Sequence, residues 1–176
     1  MTDWPDEMRR MRDAKERVRA SDTDELWRFE EPCPPADAER LRAVAGRLGH
    51  ELDRAYVSFL LAADGWPALF QDIDVFGTAE LLGSPAMETA RMLVDTMEPE
   101  ALTRSGLDRD ALLPIAASTT TIDFFVMPVT SGDVPAPVIW IAGAEVERYP
   151  SFPDFFRHMI GMNLDEAEAL RAENEG

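Results

Sequence analysis

Apolar residues in the first half of the chain recur at helical spacing. The clearest set is separated by three or four residues, the spacing that places side chains on one face of a helix: Leu41, Val44, Ala45 and Leu48. A second set with the same spacing begins at Leu52 and ends at Ala63. The pattern predicts two amphipathic helices over residues 37–64, with a sharp joint at 49–53 where Gly49 ends the first helix.

Alternating and continuous apolar runs predict strands in the rest of the chain. Residues 71–76 alternate around Ile73 and Val75, which is typical of a half-buried strand. A helix then begins at Ser84-Pro85, and residues 100–110 form a short helical turn and a loop. Four more strands are predicted over 112–116 (with Pro114 at an edge or strand start), 121–127, 137–141 and, as an edge strand, 145–149.

Two helices close the chain, one from the capping box at Ser151 to Gly161 and an acidic one over 164–172. Because the strands follow one another without intervening helices, the order predicts an α+β fold, a mainly antiparallel sheet with helices packed on it in a single domain.

The N-terminal region has a different pattern. Residues 3–20 predict a polar, salt-bridged helix with four apolar residues near one face, interrupted by Lys15: Trp4, Met8, Met11 and Val18. A proline-rich run at Pro32–Pro35 follows. We therefore divide the chain into an N-terminal polar helical extension (1–31) and the α+β domain (32–176).

Charge narrows the classes of partner. The 176 residues include 17 basic and 34 acidic side chains, giving a formal net charge of −17. That balance argues against binding to nucleic acid, which requires basic side chains to neutralise phosphates, and against docking on anionic membranes. It favours a basic protein partner.

The common catalytic and metal-binding motifs are absent from the sequence. Cys33 is the single cysteine, and His50-Glu51 lacks the second histidine of a zinc-protease motif, since position 54 is Arg54. Asp72 and Asp74 begin like a calcium loop that lacks its later ligands. We predict no cofactor, no metal and no catalytic residue, although a carboxylate pair assembled by the fold stays open. With no membrane-spanning or export segment in the sequence, we expect a cytoplasmic protein.

Short blocks in a fixed order resemble the SUKH superfamily over about residues 37–160. The blocks are Leu48-Gly49-His50-Glu51-Leu52, Tyr56, Phe59-Leu60, Asp64-Gly65, Ile73, Val75-Phe76-Gly77, Glu80-Leu81, Leu113-Pro114-Ile115-Ala116, Val138, Tyr149-Pro150-Ser151-Phe152 and Phe155-Phe156. The chain departs from that pattern at Asp53, where the family usually has proline, and at Asp64, where it usually has asparagine. The resemblance implies a single α+β domain and a role without catalysis. Bacterial members are similar to immunity proteins that neutralise a toxin, and fungal relatives are interaction proteins in cell-wall control.

Three functions follow from these observations. The first is an immunity protein that binds a cognate, basic toxin domain; the second is a regulatory or scaffold module for an endogenous protein, bound through the N-terminal helix; the third is an enzyme with an unrecognised carboxylate site. For the first, strand parity and residue type predict a partner-binding surface on the sheet and its loops, formed by Trp66, Asp72, Asp74, Asp123 and Trp140. The oligomeric state stays open, a homodimer included.

Overall fold

A computed structural model describes residues 1–130 and 134–176. The helices of these residues are α1 (Trp4–Ser21), α2 (Ala38–Leu48), α3 (Arg54–Leu60), α4 (Thr78–Leu82), α5 (Pro85–Thr96), α6 (Pro99–Ser105) and α7 (Phe152–Glu175). The strands are β1 (Trp66–Phe70), β2 (Ile73–Val75), β3 (Leu112–Ser118), β4 (Phe124–Pro128), β5 (Val138–Ala142) and β6 (Ala144–Tyr149).

The six strands form one antiparallel sheet in which the spatial order follows the chain order. Each strand pairs with the next, so no connection crosses the sheet. This confirms the predicted α+β fold and single domain, and it confirms β6 as an edge strand. Every residue from Leu112 to Ala117 in β3 is buried, so other elements cover both faces of the sheet centre.

Helix α7 lies on the sheet through its aromatic side chains. Phe155 packs against Phe125 of β4 with ring centroids 5.0 Å apart, and Phe156 packs against Trp66 of β1 at 6.1 Å. Helix α6 is tied to β6, where Arg148 donates a hydrogen bond of 2.8 Å to the carbonyl of Ser105.

Helix α1 packs alongside α7 and contributes to the main core. Its predicted apolar face is buried, with Trp4, Met8 and Met11 at most 6% exposed, and Lys15, predicted to interrupt that face, is itself only 7% exposed. Glu7 joins the two helices through a 2.5 Å hydrogen bond from Arg157. The division at residues 31 and 32 is thus a division of the sequence, since both parts contribute to the same core.

Two expectations about elements were wrong, and one strand was missed. Gly161 does not end a helix, because α7 continues through it to Glu175 as one helix. β1 precedes the predicted strand and was not recognised, since Pro67 interrupts its apolar run and Ala68 has a left-handed φ of 48°. Pro114 lies in the interior strand β3, where a register shift between Pro114 and Ala116 accommodates its missing N–H.

Candidate functional site

Three connections between strands meet at one end of the sheet. The turn between β1 and β2, the loop between β3 and β4, and Gly143 between β5 and β6 lie together because Ile73 pairs with Ser118 and Phe124 pairs with Ile141. We call residues 71–72, 118–123 and 142–144 the hairpin end. It contains two of the predicted partner-binding acids.

Asp72 is held in place by hydroxyl and amide donors of the neighbouring loop. Its carboxylate accepts hydrogen bonds from Ser118 Oγ at 2.6 Å, from the Thr120 N–H at 2.9 Å and from the Thr120 hydroxyl. Partial burial opposes ionisation, but these hydrogen bonds outweigh it and lower the pKa of Asp72 below its ordinary value. The side chain therefore stays negatively charged near neutral pH.

Asp123 and Trp140 form a hydrogen-bonded pair. The indole Nε1–H of Trp140 donates to Asp123 Oδ1 at 2.7 Å, and the Thr121 hydroxyl donates to the other carboxylate oxygen at 2.5 Å. The half-buried indole also stacks on Phe125, with ring centroids 5.5 Å apart and planes 25° apart. Both side chains are consequently fixed in position before any partner arrives.

The two carboxylates of the hairpin end keep their negative charge uncompensated. Within residues 1–130 and 134–176, the contacts to Asp72 and Asp123 are hydrogen bonds from neutral donors, and neither acid forms an ion pair. A fixed carboxylate next to a partly exposed indole, as in Asp123 and Trp140, can bind a basic side chain by charge and by contact with the ring. Asp72 adds a second fixed carboxylate at the same end of the sheet.

Asp74 lies in β2 and has a different role. It forms an ion pair with Arg28 at 2.8 Å and accepts the Ala68 N–H at 2.7 Å on the same oxygen. These contacts hold the segment after α1 and the irregular strand β1 in place. The negative charge of Asp74 is thus paired with the positive charge of Arg28, which distinguishes Asp74 from Asp72 and Asp123.

Trp66 does not lie on the surface, which corrects its predicted place among the partner-binding residues. Its side chain is fully buried, and its Nε1–H donates to the Glu30 carbonyl at 2.9 Å. The reason is that β1 lies under the joint packing of α1 and α7, which the sequence pattern did not reveal.

A groove at the opposite end of the sheet was also missed. It encloses about 940 Å³ between the start of α3 and the residues that follow β4. Three of its lining side chains are exposed apolar groups: Leu61 (50%), Val129 (37%) and Val134 (77%). Asp53 forms part of the wall, capping α3 and accepting the Ala136 N–H at 2.9 Å. Val57 in α3 and the C-cap residue Leu61 are four residues apart, a spacing that places both on one face of a helix, but neither belongs to the predicted apolar set between Leu52 and Ala63.

The described residues offer little material for catalysis or metal binding. They contain no group of three or more histidine, cysteine, aspartate or glutamate side chains that could hold a metal ion. Among the carboxylic acids of the described residues, those with a displaced pKa are Asp72 and Glu145, and hydrogen bonds lower the pKa of both. None of the helices in the described part of the chain has the length and apolar character of a membrane span.

Comparison with known proteins agrees with the architecture. No curated protein matches the chain. The family model of the SMI1 / KNR4 family (SUKH-1) matches residues 35–158, a region that begins just before α2 and ends within α7. Since the match covers well over half of the 176 residues, the chain belongs to the SMI1 / KNR4 family (SUKH-1).

Proposed function

We propose that this protein is an immunity protein that binds and neutralises a basic toxin domain through its hairpin end. Family membership favours a protein-binding role in immunity or regulation. The observation that carries the finer proposal is two uncompensated carboxylates fixed at the hairpin end: Asp72, held by Ser118, and Asp123, which accepts the indole N–H of Trp140.

Electrostatic attraction is the mechanism by which this surface would bind a toxin. A toxin domain that acts on nucleic acid needs a basic surface to hold phosphates. A partner with a net charge of −17 is attracted to that surface over a distance and associates quickly at low salt. Once bound, the carboxylates occupy the positions that phosphates need, so the toxin is blocked without any chemical step. We propose that this happens in the cytoplasm.

The second function considered, a regulatory or scaffold module, was favoured by the apolar residues of the N-terminal helix. It required an apolar face on that helix that is free to bind another protein. That face is covered, since Trp4 contacts the rings of Phe59, Phe152 and Phe156 within the core. A regulatory role through a different surface stays as the second candidate, and an enzyme with an unrecognised carboxylate site as the third.

Capture of the partner followed by a growth assay tests the proposal. The tagged protein is used to recover partners from its own cells at low and at high salt. We expect a basic domain that is lost as salt rises, that stops growth when produced alone in a bacterial host, and that is harmless when this protein is produced with it. A recovered partner that does not affect growth would contradict the immunity role and support the regulatory one.

A further inference from the structure

Lys15 is the single lysine of the chain, and it is buried. Its ammonium group donates a hydrogen bond to the backbone carbonyl of Ala68 in β1 and lies 5.8 Å from the centroid of the Phe29 ring. Lysine side chains are rarely buried to this extent. The side chain of Lys15 therefore lies between helix α1, strand β1 and the segment that follows α1.

A cavity of about 190 Å³ opens beside this amine. Besides Lys15, aromatic, arginine and acidic residues line it: Trp66, Phe29, Arg12, Arg19, Asp13, Glu16, Glu30 and Glu31. One water molecule in the liquid occupies about 30 Å³, so the cavity has room for a group of several non-hydrogen atoms next to the amine.

The surroundings of Lys15 favour its neutral form. Burial is the largest cause and lowers the pKa of Lys15 to about 8. The charges of Arg19 and Arg28 act in the same direction, while those of Glu31 and Glu30 oppose it. About a quarter of such amines are neutral at pH 7.5, against about one in a thousand for a solvated lysine. The neutral amine is the nucleophilic form.

We propose that Lys15 is an acylation site, at which its ε-amine accepts a small activated acyl group such as the acetyl group of an acyl phosphate or a thioester. The nitrogen lone pair attacks the acyl carbonyl and a C–N amide bond forms. The C–O bond to phosphate, or the C–S bond of the thioester, breaks and its electron pair leaves with the phosphate or thiolate. The amine proton passes to solvent, so no oxidant or reductant is needed.

Acylation changes how α1 is attached to the sheet. It removes the positive charge that now lies beside the Ala68 carbonyl and leaves one N–H donor on the side-chain nitrogen in place of the ammonium group. Because Ala68 also donates its N–H to Asp74, the change would reach the contact between β1, β2 and Arg28. The site is separate from the hairpin end, and the inference does not depend on the proposed toxin binding.

The variant Arg17→Lys supplies a matched control within the same molecule. Arg17 is exposed on α1, so a lysine at position 17 is an ordinary solvated amine two residues from Lys15. The folded variant is treated with acetyl phosphate at pH values from 7 to 9.5, and peptide mass spectrometry measures acetylation at each position. At pH 7.5 we expect Lys15 to react at least tenfold faster, and its rate to level off above pH 8 while that at position 17 keeps rising.

Three results would overturn the inference. They are equal rates at both positions, modification at position 17 without modification of Lys15, and reaction of Lys15 in urea but not in the folded protein. The Lys15→Arg variant, treated in parallel, identifies the signal that belongs to Lys15. Modification of the Met1 α-amine provides a positive control for the reagent in every sample.

Discussion

Asp72 and Asp74 have different roles although they lie two residues apart in the sequence. Asp72 accepts hydrogen bonds from neutral donors and keeps an unmatched charge, while Asp74 is paired with Arg28. The difference comes from the loop after β3, which reaches Asp72, and from the segment after α1, which reaches Asp74. Whether an acidic side chain has an ion-pair partner thus depends on contacts with residues far away in the sequence.

Lys15 gives a prediction about pH and stability. Its folded pKa of about 8 lies below the ordinary value of 10.5, so the unfolded chain binds more protons between these pH values. Stability contributed by this group therefore rises with pH from 8 to 10.5, and below pH 8 the full cost of the buried charge applies.

Comparison with the Lys15→Met variant isolates this effect. From pH 8 to pH 10, we expect the unfolding free energy of the parent protein to rise by about 1–2 kcal/mol relative to the variant. Urea unfolding at pH 7, 8, 9 and 10 measures the difference. For the exposed-site variant Arg17→Met, the difference in unfolding free energy from the parent protein should be independent of pH. If the unfolding free energy of the parent protein relative to Lys15→Met stays constant or falls from pH 8 to pH 10, the lowered pKa of Lys15 is contradicted.

At the scale of elements, the joint between α3 and α4 depends on a close approach of two backbone segments. A Cβ at Gly77 would lie 2.1 Å from the carbonyl oxygen of Asp64. The Asp64 side chain in turn accepts the Thr78 N–H at 2.6 Å and its hydroxyl at 2.5 Å. Glycine is required here by space, since its φ of −105° is accessible to any residue.

Alanine substitutions at two glycines test this joint. We expect Gly77→Ala to lower the unfolding free energy by about 3 kcal/mol or more, because a backbone carbonyl must move. Gly46 lies inside α2 with open space around its Cβ position, so Gly46→Ala should raise stability by about 0.5–1 kcal/mol. Chemical denaturation measures both. Equal effects at the two sites would show that the close approach is not real.

Helix α1 is a second element whose role can be tested. Met11 is fully buried between α1 and α7, where the amide of Asn163 approaches its sulfur at 3.5 Å. We expect Met11→Ala to cost about 2–5 kcal/mol of unfolding free energy, as for other buried methionines. Met92 is 64% exposed on α5, so Met92→Ala should cost less than about 0.5 kcal/mol. A small effect at Met11 would mean that the N-terminal helix is detached in solution.

The sequence predicted the elements whose periodicity is local. α2, α3, α5 and strands β3–β6 follow from spacing and capping residues such as Gly49, Ser84 and Ser151, which the structure confirms as helix caps. Gly161 was misread because a glycine within a long helix costs only about 1 kcal/mol, which the packing of α7 on α1 offsets. β1 could not be recognised because its irregular backbone depends on Asp74 and Lys15, which lie outside the strand.

The candidate site could be predicted only in part. Residue type and strand parity predict Asp72, Asp123 and Trp140; the structure places the two acids in the hairpin end and Trp140 next to it, in a hydrogen bond with Asp123. The same reasoning placed Trp66 on the surface, although α1 and α7 bury it, because a single sequence does not show which helix covers which strand. The groove near Leu61 was missed since its apolar residues come from segments far apart in the sequence.

At the scale of the whole molecule, the net charge of −17 comes from many acidic residues. The proposed function requires that the acids of the hairpin end contribute more to partner binding than acids elsewhere on the surface. Electrostatic attraction over long range depends mainly on total charge, whereas a docked complex depends on the carboxylates at the contact. Two variants with equal net charge therefore separate the general effect from the local one. Asp72→Asn/Asp123→Asn changes the hairpin end, and Asp95→Asn/Asp165→Asn changes exposed acids on α5 and α7.

The measurement that tests the central claim most directly is the affinity of these two double variants for the recovered basic partner. Calorimetry at 50 and 300 mM salt, after thermal unfolding has shown that both variants are folded, gives Kd and its dependence on salt. We predict that the hairpin-end variant binds about 10- to 100-fold more weakly with a reduced salt dependence, as expected for the loss of two charged contacts. The control variant should bind within about threefold of the parent protein. Equal losses in the two variants, or no loss in either, would contradict the proposal that the hairpin end holds the partner.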